Sequence, residues 1–247
     1  MSQNILVKPV AKQTLLSLNI RNVTDLFPGF ALGDFAVIYG PSVTSLTSLL
    51  CIRAQLPTQL GGLSSNVIFI DGGNTFRLYQ VTRFAQLQHL DPKKTLEKIF
   101  VSRAFTAYQL TALIMERLKC AIEEYDAKVV IVSDVAGLFL DKDIPDEEAE
   151  QVYAQVIAYL QNLARQNQIV LIATCVLRQN SSRWDHIKTV TSQKANVVLA
   201  LRQTPYDREV TLDKHPYLML GSVELPSENV TLTDFIAGNK HNLIISP

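Results

Sequence analysis

The sequence predicts an α/β fold with a mostly parallel central sheet, helices on both faces and an antiparallel C-terminal edge. Three observations predict it. Apolar runs of strand length alternate with helical stretches from residue 34 to residue 201, the pattern of parallel strands joined by helical crossovers. Four of the runs end in Gly40, Asp71, Ser133-Asp134 and Thr174, and open parallel sheets bind ligands at such strand ends. Beyond Leu201 short strands follow one another with no long helix between them.

Taken in order, residues 1–30 form an N-terminal lead-in, with Leu15-Leu-Ser-Leu-Asn-Ile20 and the turn-rich Phe27-Pro-Gly29, and residues 31–247 form a single core domain. Asp34 to Tyr39 is the first strand. Thr44 to Gln55 is a helix apolar on most faces, stopped by Pro57. Asn66-Val-Ile-Phe-Ile-Asp71 is nearly all apolar, as suits a strand buried on both faces. Gly72-Gly-Asn74 turns the chain into a helix from Phe76 to Leu90, and Lys98 to Arg103 is the next strand. Leu110, Leu113, Ile114, Leu118 and Ile122 recur at helical spacing between Thr106 and Tyr125. A strand from Lys128 to Asp134 leads to an acidic loop, Asp141 to Glu148, whose carboxylates suit the N-terminus of the helix that runs to Asn167. Gln168 to Thr174 is a strand, Arg178 to Lys194 a polar loop, and Ala195 to Leu201 a strand. Arg208 to Leu212 and Tyr217 to Val223 close the sheet.

Composition narrows the function classes. Of 247 residues, 47% are hydrophobic and 19% charged, which supports a sizeable core. Lys+Arg and Asp+Glu are both 23, so nucleic-acid contact would need a local patch rather than bulk charge. Cys51, Cys120 and Cys175 are scattered, as buried thiols of a reducing compartment would be, and form no disulfide framework. The four histidines have no metal-type spacing, so no metal is expected. No run reaches the ~18–20 apolar residues of a membrane span, and Met1 to Lys8 lacks the features of a secretion signal. A cytoplasmic protein without a membrane partner is the expectation.

Function turns on Gly40-Pro-Ser-Val-Thr-Ser-Leu-Thr47, set between a strand and a helix. A phosphate-binding loop reads G-x-x-x-x-G-K-[ST]. Gly40 and Thr47 keep its first and last positions, while Ser45 replaces the second glycine and Leu46 the lysine. The lysine supplies a point charge to the β- and γ-phosphates, and leucine supplies none.

With Asp71-Gly-Gly-Asn-Thr-Phe-Arg77, Arg103-Ala-Phe105 and Val129 to Phe139 in order on the expected elements, the chain resembles the RecA/RadA recombinase family in its ATPase core. The first segment looks like the family's D-T-E-G-T-F-R, the second like the R-A-F of RadA-type members, and the third like its Walker B strand and continuation. The resemblance covers roughly residues 15–225 and implies a RecA-like P-loop NTPase fold. It also implies that Gly40, Ser45, Leu46, Thr47, Asp71 and Asp134 are vestiges of a nucleotide site. Gly73 stands where the family's catalytic glutamate would be. Ser133 takes the Walker B position with Asp134 one residue later, and a one-residue shift along a strand turns a side chain to the opposite face. With three phosphoryl-transfer groups absent or misdirected, efficient hydrolysis is not expected and no catalytic residue is assigned.

The resemblance therefore implies a degenerate archaeal RadA/RadB-type paralog acting as an accessory protein in DNA repair or homologous recombination. Its partners would be a RadA-type recombinase, a sister paralog or single-stranded DNA, and the family's head-to-tail assembly would allow a homo-oligomer. No cofactor is expected. Two alternatives stand beside this one: an NTPase that binds ATP and magnesium through the altered loop with a cation such as Arg77, and a ligand-free protein–protein scaffold. For DNA, the family's second contact loop corresponds to Arg178, Arg183, Trp184, Lys188 and Lys194. Cations interleaved with an aromatic suit phosphate contact and base stacking, and a solvated loop with Trp184 against the body is the equal alternative.

Overall fold

The fold is known from a computed structural model, which describes residues 14–41, 43–176, 181–203 and 208–225. A short antiparallel ribbon, β1 (Leu15–Leu16) with β2 (Phe30–Ala31), encloses α1 (Arg21–Leu26). Leu16, Val23 and Phe27 are fully buried in the same core as the helix after the phosphate-type loop, so residues 14–30 pack as part of the body. Arg53 ties this ribbon down: its Nε donates to the Ser17 carbonyl at 2.9 Å and its Nη2 to that of Leu60. Burial lowers the pKa of that guanidinium to about 10.

The alternating part follows as β3 (Phe35–Tyr39), α2 (Val43–Arg53), β4 (Asn66–Asp71), α3 (Leu78–Leu87), α4 (Pro92–Leu96) and β5 (Ile99–Arg103). Next come α5 (Ala107–Ala112) and α6 (Leu118–Glu124), joined through a π-helical turn at Leu113–Arg117. Then β6 (Ala127–Ser133), α7 (Asp146–Asn167), β7 (Val170–Cys175), α8 (Ser182–Lys194) and β8 (Val197–Gln203) complete the parallel part. The edge is β9 (Arg208–Lys214) and β10 (Gly221–Leu225).

Among the described residues the main sheet has eight strands in the order β10-β9-β8-β3-β7-β6-β4-β5. From β8 to β5 all pairings are parallel, and β9 and β10 are antiparallel. Strand alternation divides the buried residues between two cores. Ala36, Ile38 and Phe69 face α2 and α3, whereas Phe35, Val37 and Ile70 face α5 to α8. The predicted α/β architecture is therefore the observed one. No helix among the described residues is long and apolar enough to cross a membrane.

Two expectations are corrected. The stretch read as a polar loop from Arg178 to Lys194 is helix α8 from Ser182 onward, started by Ser181, whose hydroxyl accepts the Trp184 N–H at 3.1 Å. That serine–helix start satisfies one of the free N–H groups of the first turn, and its weak apolar periodicity concealed it. The last strand begins at Gly221 rather than Tyr217. Tyr217 and Leu218 instead form a turn closed by His215, whose Nδ1 accepts both of their N–H groups at 3.1 and 3.0 Å.

Candidate functional site

The loop after β3 is held by the protein's own groups. Gly40 has φ +137°, and a Cβ there would lie 2.3 Å from the Leu201 carbonyl oxygen of β8, so only glycine fits. Leu46 is buried in the core under α2. Thr47 is buried and its hydroxyl donates to the Thr44 carbonyl at 3.0 Å, which turns it into its own helix. Ser45 accepts the Gln80 side-chain N–H at 2.7 Å, and Ser48 donates to the Gln80 Oε1 at 3.1 Å. Gln80, on α3, thus clasps the first turn of α2. No loop motif pointed to it, because the contact joins elements 35 residues apart.

The strand-end acids form a second closed network. Asp71 is fully buried at the end of β4 and accepts the backbone N–H groups of Thr75 at 2.8 Å and Phe76 at 3.2 Å. Arg103, at the paired end of β5, completes it with an ion pair at 3.1 Å. Asp71 is thereby a cap for the turn that follows it. Ser133 shares a short hydroxyl–hydroxyl hydrogen bond with Thr75. Asp134 lies just past β6 at φ +47°, a left-handed conformation that aspartate tolerates. β6 ends at Ser133, so strand alternation alone does not set the direction of the Asp134 side chain, whose Oδ1 accepts the Val176 N–H at 3.4 Å. A Cβ on Gly73 would lie 2.7 Å from the Asp134 Cβ and 3.3 Å from its Oδ2. The Asp134 N–H donates to Thr174 Oγ1 at 3.0 Å, which ties the ends of β6 and β7 together.

These residues do not fit a nucleotide with magnesium in the manner of the full loop motif. The lysine position is core leucine, the terminal hydroxyl is turned inward, and Gly73 has no space for a side chain. Arg77, the candidate substitute cation, donates to the carbonyls of Asn74 and Phe76 in its own turn. A cavity of about 180 Å³ remains beside the loop, walled by Pro41, Ser45, Leu46 and Leu201 with Arg202 and Arg208. Among the described residues no cluster of three His, Cys, Asp or Glu could hold a metal ion.

The predicted DNA-contact residues do not come together. Arg178 lies outside the described residues. Trp184 is buried among the α7 and α8 core side chains, so its ring offers no open face for stacking. Arg183 pairs with Asp146 and donates to the carbonyls of Phe139, Asp141 and Ile144. It therefore neutralises and caps the acidic loop that enters α7. Lys188 and Lys194 are exposed, but six residues apart on a helix of 3.6 residues per turn they point in different directions. Lys194 sits in the last turn of α8, where a cation complements the helix dipole.

Comparison with known proteins agrees with this architecture. Over 147 residues the chain is 29% identical to the DNA repair and recombination protein RadA of Cenarchaeum symbiosum, a match covering 60% of this chain and 37% of that protein. Over 168 residues it is 26% identical to the DNA repair and recombination protein RadA of Metallosphaera sedula, covering 68% of this chain and 49% of that protein. The chain thus spans less than half the length of either relative. Residues 20–196 match the Rad51 family, a span from α1 to the start of β8 that includes both strand-end networks. The chain belongs to the Rad51 family.

Proposed function

We propose that the chain is a member of this family without ATPase chemistry that serves DNA repair or recombination as an accessory protein, by binding a RadA-type recombinase. The observation that carries this reading is how the described residues of the Gly40–Thr47 segment are engaged by the protein itself. Phosphoryl transfer depends on positioned charge and an oriented nucleophile, and here Leu46 is core, Thr47 donates to Thr44 and Gln80 holds Ser45 and Ser48. Exposed apolar residues support the binding part. Val101 lies on the edge strand β5, Phe105 and Tyr108 follow it, and Tyr79 sits in α3 after the neighbouring β4. An unpaired strand edge is a ready template for another chain.

The test is calorimetry with ATP and magnesium, run beside phosphate release by the chain alone. Neither saturable heat nor turnover is expected. Saturable binding with turnover would instead establish an NTPase with an altered loop. The observation favouring that second reading is that Arg202 and Arg208 wall the cavity beside Leu46.

A further inference from the structure

A groove of about 320 Å³ lies between α8 and the β8–β9 pair, lined in part by Tyr39, Lys188, Ser192, Arg202, Asp213 and Lys214. Local irregularity builds it. Leu199 pairs with Leu212 and Val198 with Lys214, so Asp213 is an extra residue in β9. Such a bulge re-aims side chains, and here both Asp213 and Lys214 reach the groove wall. Lys214 Nζ donates to the carbonyls of Ser192 and Gln193 at 2.9 and 3.0 Å. These belong to the last turns of α8, where carbonyls lack helical partners and favour a cation. The Tyr39 hydroxyl, from the end of β3, reaches the same helix, 3.2 Å from Ser192 Oγ and 3.4 Å from the Lys188 carbonyl. Burial pushes the Tyr39 phenol pKa up, which keeps it a neutral donor.

Charge in the groove is lopsided although the whole chain is neutral. Lys188, Arg202 and Lys214 face a single lining carboxylate, Asp213. Glu209 stands opposite Arg202 in the β8–β9 register, yet among the described residues no acid lies within ion-pair distance of Lys188 or Arg202. Thr211, two residues before Asp213 on β9, keeps a buried hydroxyl oxygen without a hydrogen-bond partner.

We propose that this groove binds the phosphate of a phosphate ester. The Arg202 guanidinium offers a planar fork, the two ammonium groups supply charge, and hydroxyl donors complete the set. The volume is at the small end of ligand pockets, enough for a phosphate with part of its ester and too small for a duplex. The site goes beyond the proposed accessory role, since it requires neither the Gly40–Thr47 loop nor a protein partner.

Two probes separate the sources of phosphate: glycerol 3-phosphate, a small monoester, followed by calorimetry, and a labelled oligothymidylate of about 20 nucleotides followed by anisotropy at ~50 and ~200 mM salt. Lys188→Ala should weaken binding of the recognised probe about tenfold, the loss of one charged hydrogen bond. Asp213→Asn should strengthen it several-fold by removing a like charge. Both residues are exposed, so both variants should fold, and neither lines the cavity beside the loop, unlike Arg202. A response with glycerol 3-phosphate alone assigns the groove to small phosphate esters, and one with the oligonucleotide alone assigns it to strand backbones. Binding of neither probe, or affinities unmoved by both substitutions, would overturn the proposal.

Discussion

Gly73 and Asp134 lie against each other. A side chain at 73 would begin 2.7 Å from the Asp134 Cβ, and Asp134 is held by its N–H bond to Thr174. Restoring a glutamate at 73 therefore forces the β6–β7 junction to move. Gly73→Glu combined with Leu46→Lys should release no phosphate from ATP. It should also lower stability by about 3–6 kcal/mol, from overpacking at one site and loss of a buried leucine at the other. Urea midpoints and a phosphate-release assay check both parts, and turnover at an unchanged midpoint would contradict the account. Leu46 and Gly73 stand out in the sequence only when it is set beside the family motifs that it resembles. Their structural consequences are not legible there: Gln80 on Ser45 and Asp134 against Gly73 are contacts between separate elements, which no local pattern encodes.

At the scale of elements, the parallel strands were legible to within about two residues, since long apolar runs ending in an acid or glycine have few other homes. Helix α8 was hidden because its buried residues are only Trp184, Ile187 and Thr191 among the polar remainder. Arg183 reads in the sequence as a DNA-contact cation, whereas the structure gives its guanidinium to Asp146 and to carbonyls of the segment before α7. The β9–β10 connection is another element the sequence could not foresee, because it depends on one imidazole acceptor. Desolvation lowers the His215 pKa below the usual histidine value, with Asp34 opposing the shift. The sign follows from proton counting. The unfolded chain binds this proton more readily, so the contribution is complete above about pH 6.5 and is lost as pH falls below that value toward the folded pKa. Protonated Nδ1 could no longer accept the N–H groups of Tyr217 and Leu218. Asp34 acts with the opposite dependence, since burial raises its pKa: its contribution is complete below about pH 3.8 and lost as pH rises through the raised value. The urea midpoint should therefore drop between pH 6.5 and 5 in the native chain, and His215→Asn, a non-titrating acceptor, should flatten that drop. An equal drop in both proteins would place the titration elsewhere.

For the whole molecule, the sheet of the described residues ends in two edge strands, β10 and β5. Exposed apolar residues accompany both: Tyr217, Met219 and Leu220 precede β10, and Val101 and Phe105 lie on and after β5. Phe105 is 71% exposed and Tyr79 87% exposed, a large apolar area for water to cover. Strand addition at β5 would cover exposed side chains of that strand such as Val101 and pair backbone groups that no strand among the described residues pairs. If this edge carries the recombinase contact, Val101→Glu with Phe105→Glu should weaken association with a RadA recombinase at least tenfold. A single buried aromatic anchor commonly contributes that much to an interface. The melting temperature should stay within a few degrees, since surface changes alter stability by only about 0.5 kcal/mol each. Association by light scattering or surface immobilisation, paired with thermal melts, separates the outcomes. Weakened binding with an intact melt places the partner on β5, whereas unchanged binding moves it to another face and leaves the apolar edge without a role in recombinase recognition.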